Sequence, residues 1–433
     1  MPTPTREACA EMDRHDPLAS LRGLFALEAA DARGELYLDG NSLGPLPRAT
    51  EARVHQVVQE EWGRDLIRSW NTAGWITLAQ RIGDKIARLV GAAPGELVVA
   101  DSTSVNLYKA LAAAMTITTA DAPARRTIVS ERTNFPTDLY IADTAARERG
   151  YALRLVEAGD LPAAIDADTA VVMLTHVDYR TGRMHDMAAV TRAAHAAGAL
   201  VLWDLAHSAG AVPVALHGDG SPGSAADFAV GCGYKYLNGG PGAPAFIWVH
   251  PRHTARMDAE GWRQPLAGWL GHAEPFAFTT DYRPAAGITR FVCGTPPVLS
   301  LAALECGVDT VLAAEAGGMT ALRAKSVALT DLLIALIEAR CGGFDLALVT
   351  PRDSAGRGSQ VSVAHATGGY EIVQALIARG VIGDFRAPDL MRFGVAPLYT
   401  RFVDVWDAVD RMAAVLASGE WREARFATRA AVT

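Results

Sequence analysis

The sequence predicts an α/β protein: a mostly parallel β-sheet covered by helices, followed by a smaller α+β domain. Three observations carry this reading. Short runs rich in Val, Ile and Leu alternate with alanine-rich stretches of helical composition through the middle of the chain, the rhythm of a sheet built from β-α units. After Pro296-Pro297 that rhythm gives way to one long helical stretch and then to short strands. With 433 residues, half of them hydrophobic, the chain can bury a large core and a second, smaller one.

Taken in order, the apolar runs place strands at residues 97–100, 127–130, 170–174, 199–203 and 245–249. Helices are expected at 106–115, 137–149 and 187–197, each opening near a Thr, Asp or Asn that can cap its first turn. Beyond residue 297 a helical stretch should run to about 340, followed by strands near 344–349, 360–364, 381 and 391 and a helix near 370–379. Asp353 to Gly358 reads as a polar turn, and no linker exceeds a loop, so the domains should pack closely.

Composition narrows the function classes. A net charge of -8, from 48 acidic and 40 basic residues, supplies no broad basic field for nucleic acid or anionic lipid, which leaves small molecules as the expected partners. Cys9, Cys232, Cys293, Cys306 and Cys341 are odd in number and widely spaced, against a disulfide framework or a zinc site. His15, His55, His195, His250 and His365 show no ligand spacing either, so no metal is expected. The opening Met1 to Glu7 lacks the apolar stretch of a signal peptide, and no apolar run could span a bilayer. A reducing cytoplasm and no membrane are the expectation.

Chemistry is expected beyond the carboxyl ends of the strands, where backbone amides and helix N-termini face a crevice. Asp101-Ser102-Thr103-Ser104-Val105-Asn106 follows one strand and opens a helix, so its hydroxyls and free amides suit a phosphate or simply cap the helix. Asn134-Phe135-Pro136-Thr137-Asp138 follows the next; Phe135 can stack on a flat heterocycle and Asp138 can bond a ring substituent, or the segment is a proline turn. Asp204 ends a buried run, a costly place for a carboxylate without a partner, and His207 lies three residues on. Only four residues are lysines, and one of them, Lys235, sits among aromatics and glycines in Gly233-Tyr234-Lys235-Tyr236-Leu237-Asn238-Gly239-Gly240. That setting fits a Schiff base with pyridoxal 5′-phosphate (PLP), Asp204 facing the pyridine nitrogen and the Tyr234 hydroxyl reaching phosphate or moving a proton. Arg392, in Met391-Arg392-Phe393-Gly394, presents a planar fork suited to an amino-acid carboxylate.

In sequence order, Gly40-Asn41-Ser42-Leu43-Gly44-Pro45, Asp101 to Asn106, Phe135 to Asp138, Asp204 to His207, Tyr234 to Asn238, Gly268-Trp269-Leu270-Gly271-His272, Gly294-Thr295-Pro296-Pro297 and Arg392 to Tyr399 resemble the bacterial kynureninases over nearly the whole chain. The resemblance implies PLP-dependent fold type I, with a mostly parallel seven-stranded sheet in a large domain at 51–297 and a small domain at 298–433. Residues 1–50 would form a segment packing near the small domain. It also implies PLP, a homodimer with shared active sites, and hydrolysis of L-kynurenine to anthranilate and L-alanine. On that basis Lys235 carries the cofactor, Asp204 holds its ring nitrogen and Phe135 stacks on the ring. Thr103, Ser104, Tyr234, Trp269 and Thr295 surround the phosphate, the last two from the neighbouring subunit. Pro136, Thr137, Asp138, Thr175 and His207 complete the shell, Arg392 takes the substrate carboxylate, and Ser42, Trp70 and His272 border the aryl ketone. Relatives that prefer 3-hydroxykynurenine tend to carry Asn at the place of Thr295 and His near Trp70, so the resemblance favours unsubstituted kynurenine.

Three rivals share part of this pattern, one of them a transaminase for small amino acids. A PLP-dependent cysteine desulfurase or selenocysteine lyase needs a mobile thiol near the substrate, and Cys293 and Cys341 are poorly placed for that. An inactive PLP-binding protein has no reason to keep Lys235, Tyr234 and Arg392 together.

Overall fold

The computed structural model describes residues 3–314 and 317–429. A seven-stranded sheet contains β1 (Leu97–Val99), β2 (Thr127–Glu131), β3 (Ala152–Val156), β4 (Thr169–Thr175), β5 (Leu200–Asp204), β6 (Phe228–Gly231) and β7 (Phe246–Val249), in the order β1-β7-β6-β5-β4-β2-β3. Only β7 runs against its neighbours, pairing antiparallel with β1 and β6. The other pairs are parallel. Strands β1, β2, β4, β6 and β7 are buried along their whole length, which is why their sequences read as continuous apolar runs rather than alternating ones.

Two strands of this sheet go beyond the five expected. Edge strand β3 is only half-buried and carries Arg154, so it lacks the apolar signature. Strand β6 is four residues long and runs into the glycine-rich lysine loop, which hides its start and end. Covering helices include α1 (Thr103–Asp121), whose N-cap Ser102 accepts from Val105 N, and α2 (Pro136–Arg149), with proline at its first turn, where no N–H is needed.

The helical stretch expected from 298 to 340 is two helices, α3 (Val298–Leu312) and α4 (Gly318–Cys341). Gly317 takes φ 110° just before α4, a conformation that costs any residue with a Cβ. Helix α3 buries Leu301, Leu304 and Val308 in the larger core, and Leu322 of α4 still belongs there; the smaller core takes α4 from Leu329 onward. The two cores therefore part within α4 rather than at residue 297. The smaller core packs α4 and α5 (Phe402–Ser418) against a four-stranded antiparallel sheet of β8 (Ala347–Leu348), β9 (Gln360–Ala364), β10 (Asp384–Arg386) and β11 (Leu390–Gly394), ordered β10-β11-β9-β8.

The N-terminal segment is shared between the cores. Cys9, Leu36 and Leu38 join the smaller one, Leu18, Phe25 and Leu27 the larger, and Leu36–Tyr37 pairs in parallel with Val381–Ile382. All five cysteines are free. Among the described residues no helix is long and apolar enough to cross a membrane, and no cluster of three or more His, Cys, Asp or Glu could hold a metal.

Candidate active site

Strands β4 and β5 end side by side, with Thr175 the register partner of Asp204. A cavity of about 270 Å³ opens beside these carboxyl ends. Thr103 and Ser104 line it from the N-terminus of α1, and Phe135, Thr137 and Asp138 from the start of α2. Thr175, Asp204, His207, Tyr234 and Lys235 complete the wall. Pro136 sets the first turn of α2 between Phe135 and Thr137. Ten residues scattered over 133 positions of sequence thus meet in one place because each ends or follows a strand of the same sheet.

Lys235 is the amine of the site. Its Nζ lies 3.3 Å from His207 Nε2, 6.0 Å from the Phe135 ring centre and 5.7 Å from that of Tyr234. Burial pushes its ionisation down, toward the neutral form that acts as a nucleophile. Burial likewise holds His207 neutral, and the nearby lysine charge adds to the effect.

Opposite the amine stand two carboxyl groups. Asp204 is buried at the end of β5 and accepts from Ala206 N at 2.8 Å, and burial pushes its ionisation up. Asp138 is pushed up further, first by burial and then by the facing Asp204 charge. Both carboxyl groups are thus held back from ionising, by burial first and, at Asp138, by the charge of Asp204. Asp138 Oδ2 is buried without a hydrogen-bond partner among the described residues, so the cavity wall offers an unmet polar atom. Asn134 frames this wall: its Oδ1 accepts from Phe135 N at 2.7 Å and from the Thr175 hydroxyl.

A planar, polar-edged ring carrying a phosphate fits these groups. The carboxyl pair suits a ring nitrogen and a polar substituent, and the half-exposed Phe135 offers a face for stacking. The lysine amine suits an aldehyde, and the hydroxyls and free amides at the start of α1 suit an anion.

The segment Gly40 to Pro45 docks on the lysine loop. Gly44 N donates to Tyr234 O at 2.9 Å, and a Cβ on Gly44 would stand 2.6 Å from the Lys235 carbonyl oxygen, so only glycine fits. Ser42 from this segment donates to Asp384 Oδ2 at 2.7 Å. Arg392 lies in the same group rather than in the cavity wall. Its Nε donates to Asp384 Oδ1 at 2.7 Å, its Nη2 to Asp384 Oδ2 and, at 3.2 Å, to Ser42 Oγ, and its Nη1 to the carbonyl of Tyr179. The planar fork read from the sequence as open to a substrate is therefore filled by Asp384. Tyr179, which lines the cavity and meets Phe135 edge-on at 5.2 Å, connects Arg392 to it.

Trp70, Trp269, His272 and Thr295 do not line this cavity. Trp70 and Trp269 pack together at 6.3 Å, Trp269 meets Phe276 at 5.6 Å, and His272 meets Tyr282 at 5.6 Å. Trp269, His272, Phe278 and Tyr282 line a separate hollow. Tyr179 and Asp384 join the site without standing in any glycine-rich or strand-end motif, so no local pattern singles them out.

Solved structures share this architecture. The apo cysteine desulfurase of Thermococcus onnurineus NA1 superposes with a TM-score of 0.74 at 17% identity, covering 92% of this chain and 98% of that one. A C-DES mutant with glycine linked covalently to its PLP cofactor gives 0.73 at 16% identity, over 90% and 98%. The fold is thus that of the fold type I enzymes. Residues 322–412 match the model of the kynureninase C-terminal domain. Kynureninases from Burkholderia pseudomallei (strain 1106a) and Pseudomonas fluorescens are 56% and 54% identical, each over 99% of this chain and 100% of the relative. The chain belongs to the kynureninase family.

Proposed function

We propose that the protein is a PLP-dependent kynureninase, hydrolysing the Cβ–Cγ bond of L-kynurenine to give anthranilate and L-alanine. The observation that carries this reading is the meeting of a buried amine, a buried carboxyl pair and a helix N-terminus in one cavity of a chain whose full-length relatives are kynureninases. When bound, PLP supplies an electron sink that lets bonds at the substrate α- and β-carbons break. Asp204 would hold its ring nitrogen, Phe135 would stack on its ring, and Thr103 and Ser104 would take its phosphate.

The chain's own groups do the rest. Lys235, kept neutral by burial, can bond an aldehyde carbon and, once freed, move a proton from the substrate α-carbon. Tyr234 is pushed up by neighbouring Cys232 and by burial, so its hydroxyl keeps a proton to donate to the carbon left after cleavage. Arg392, aimed by Asp384, would place the substrate carboxylate. Water adds at the γ-carbonyl, so one oxygen enters anthranilate and a proton completes alanine.

Trp70, Trp269, His272 and Thr295 stand away from their own chain's cavity, which supports a homodimer in which they complete the partner's site. Exposed Trp62, Leu66, Ile67, Phe276 and Phe278 give such a dimer apolar surface to cover. Thr295, with Trp70 beside Trp269, supports a preference for unsubstituted kynurenine over the 3-hydroxy form. Five free thiols suit a reducing cytoplasm. None of the five lines the cavity, which disfavours desulfurase chemistry. Incubation with L-kynurenine tests the proposal: blue anthranilate fluorescence with equimolar alanine is expected, and alanine released from cysteine without turnover of kynurenine would overturn it.

A further inference from the structure

Lys109 is a fully buried cation one helical turn and more into α1. A buried ammonium is tolerated only where its protons are bonded. Its Nζ donates to Asp101 Oδ2 at 2.7 Å and to the Phe291 carbonyl at 2.6 Å, with Cys293 Sγ at 3.9 Å. Asp101 belongs to the wall of the cavity, and Phe291 and Cys293 to the strip beside Trp269 and Thr295.

Asp101 precedes the Ser102-Thr103-Ser104 start of α1 and lines the cavity. It holds φ 46°, in the left-handed region, where a residue with a Cβ needs outside support. The bond from Lys109 supplies it on one side, and the Asp101 carbonyl accepting from Ala245 N at 2.9 Å supplies it on the other. The turn so fixed directs the first amides of α1 at the cavity.

Phe291 and Cys293 belong to the second segment. The Cys293 carbonyl accepts from Leu270 N at 3.2 Å, and Gly268 lies so close that a Cβ there would sit 2.2 Å from that oxygen. Gln264 Nε2 donates to Cys293 Sγ at 3.3 Å. The residues that carry Trp269 and Thr295 are thus pinned to the strip that Lys109 grips.

We propose that Lys109 is a positioning residue for the cofactor's anionic end, fixing the turn at Asp101 that aims the α1 amides and tying it to the strip that carries Trp269 and Thr295. Because it touches neither ring nor phosphate, it acts only through these two segments. Its loss should weaken binding of the phosphate group and leave recognition of the ring unchanged. This rests on the PLP reading of the cavity.

The test is absorbance titration of the full chain with PLP and, separately, with pyridoxal, which lacks the phosphate, for the native protein and for Lys109→Met. Native protein that binds neither would reject the PLP reading itself. With PLP bound by the native protein, Lys109→Met should lose about ten- to a hundred-fold in PLP affinity while pyridoxal affinity holds, and inorganic phosphate should compete less well with PLP. Equal losses for PLP and pyridoxal, or no loss for either, would overturn the proposal. Should Lys109→Met fail to fold, the double variant Lys109→Met with Asp101→Asn removes both charges together and leaves none stranded. It must show the same selective loss.

Discussion

The Nζ of Lys235 and the Nε2 of His207 lie 3.3 Å apart, in a pocket where burial holds both groups toward their neutral forms. Two neutral nitrogens this close can form one N–H···N hydrogen bond without either becoming charged, which keeps the amine in its nucleophilic form. The other lysines are differently placed. Lys109 is locked to Asp101, Lys325 to Asp16 at 2.6 Å and to the Pro397 carbonyl, and Lys85 to Glu305 and Asp309. Borohydride reduction in the presence of PLP should therefore fix the pyridoxyl label on Lys235. Mass spectrometry that finds it on Lys85, Lys109 or Lys325 would remove the basis of the site.

Asp204→Asn should keep the fold and lose most activity. The amide matches the carboxylate in shape and can still accept from Ala206 N, but it cannot hold a ring nitrogen protonated. Removing such a charge-assisted bond is worth about 1.5 to 3 kcal/mol, a loss of about ten- to a hundred-fold in kcat/KM. Unchanged turnover with an unchanged absorption spectrum would reduce the carboxylate to a turn-capping role.

Much of this site was legible because its residues follow strands. Asp204, the Phe135 to Asp138 segment and Lys235 each come after an apolar run, and the sheet gathers what comes after its strands whatever the separation in sequence. Arg392 was legible as a residue type but not in its state. Its partner Asp384 lies on the adjacent antiparallel strand, a register pair that no local pattern announces. The edge strand β3 and helix α5 went unread for a related reason: a half-exposed strand and a helix packed on the chain's own N-terminal segment depend on what covers them. Tyr179 reaches the cavity from an irregular loop, where periodicity carries no information.

Another buried carboxylate, before β6 and away from the cavity, bears on stability rather than chemistry. Asp227 is fully buried before β6 and accepts from Val201 N at 2.8 Å, His195 at 2.8 Å, His253 at 2.6 Å and Arg252. Burial opposes its charge, but the two histidine bonds and the guanidinium outweigh it and hold the group far below the carboxylate range. A folded-state value below the unfolded one, which is about 3.9, gives stabilisation that is complete above roughly pH 5 and fades as pH falls below it. Asp227→Asn should cost roughly 3 to 5 kcal/mol in urea unfolding at pH 7 and flatten the acid side of the stability profile. Equal acid sensitivity in mutant and wild type would place the acid-labile group elsewhere.

Arg392 gives the last test, because Asp384 already fills the fork that a substrate would use. Four of its five N–H donors are engaged, by Asp384, Ser42 and the Tyr179 carbonyl, which leaves one on Nη1. A substrate carboxylate would thus meet a guanidinium aimed by a buried carboxylate, with Nη2 of the neighbouring Arg386 guanidinium 2.7 Å from Asp384 Oδ2. Arg392→Lys keeps one charge but loses the paired bonds that fix its direction, so substrate binding should weaken by about 1 to 3 kcal/mol with PLP binding untouched. Asp384→Asn should do nearly the same, since it removes the aim while leaving the guanidinium. The control is a kynurenine analogue without the carboxylate, which wild type and both variants should bind equally poorly. A variant that binds kynurenine normally, or that loses its cofactor, would make the Arg392 and Asp384 pair a structural bridge between the small sheet and the lysine loop, and the carboxylate clamp would then have to be sought elsewhere.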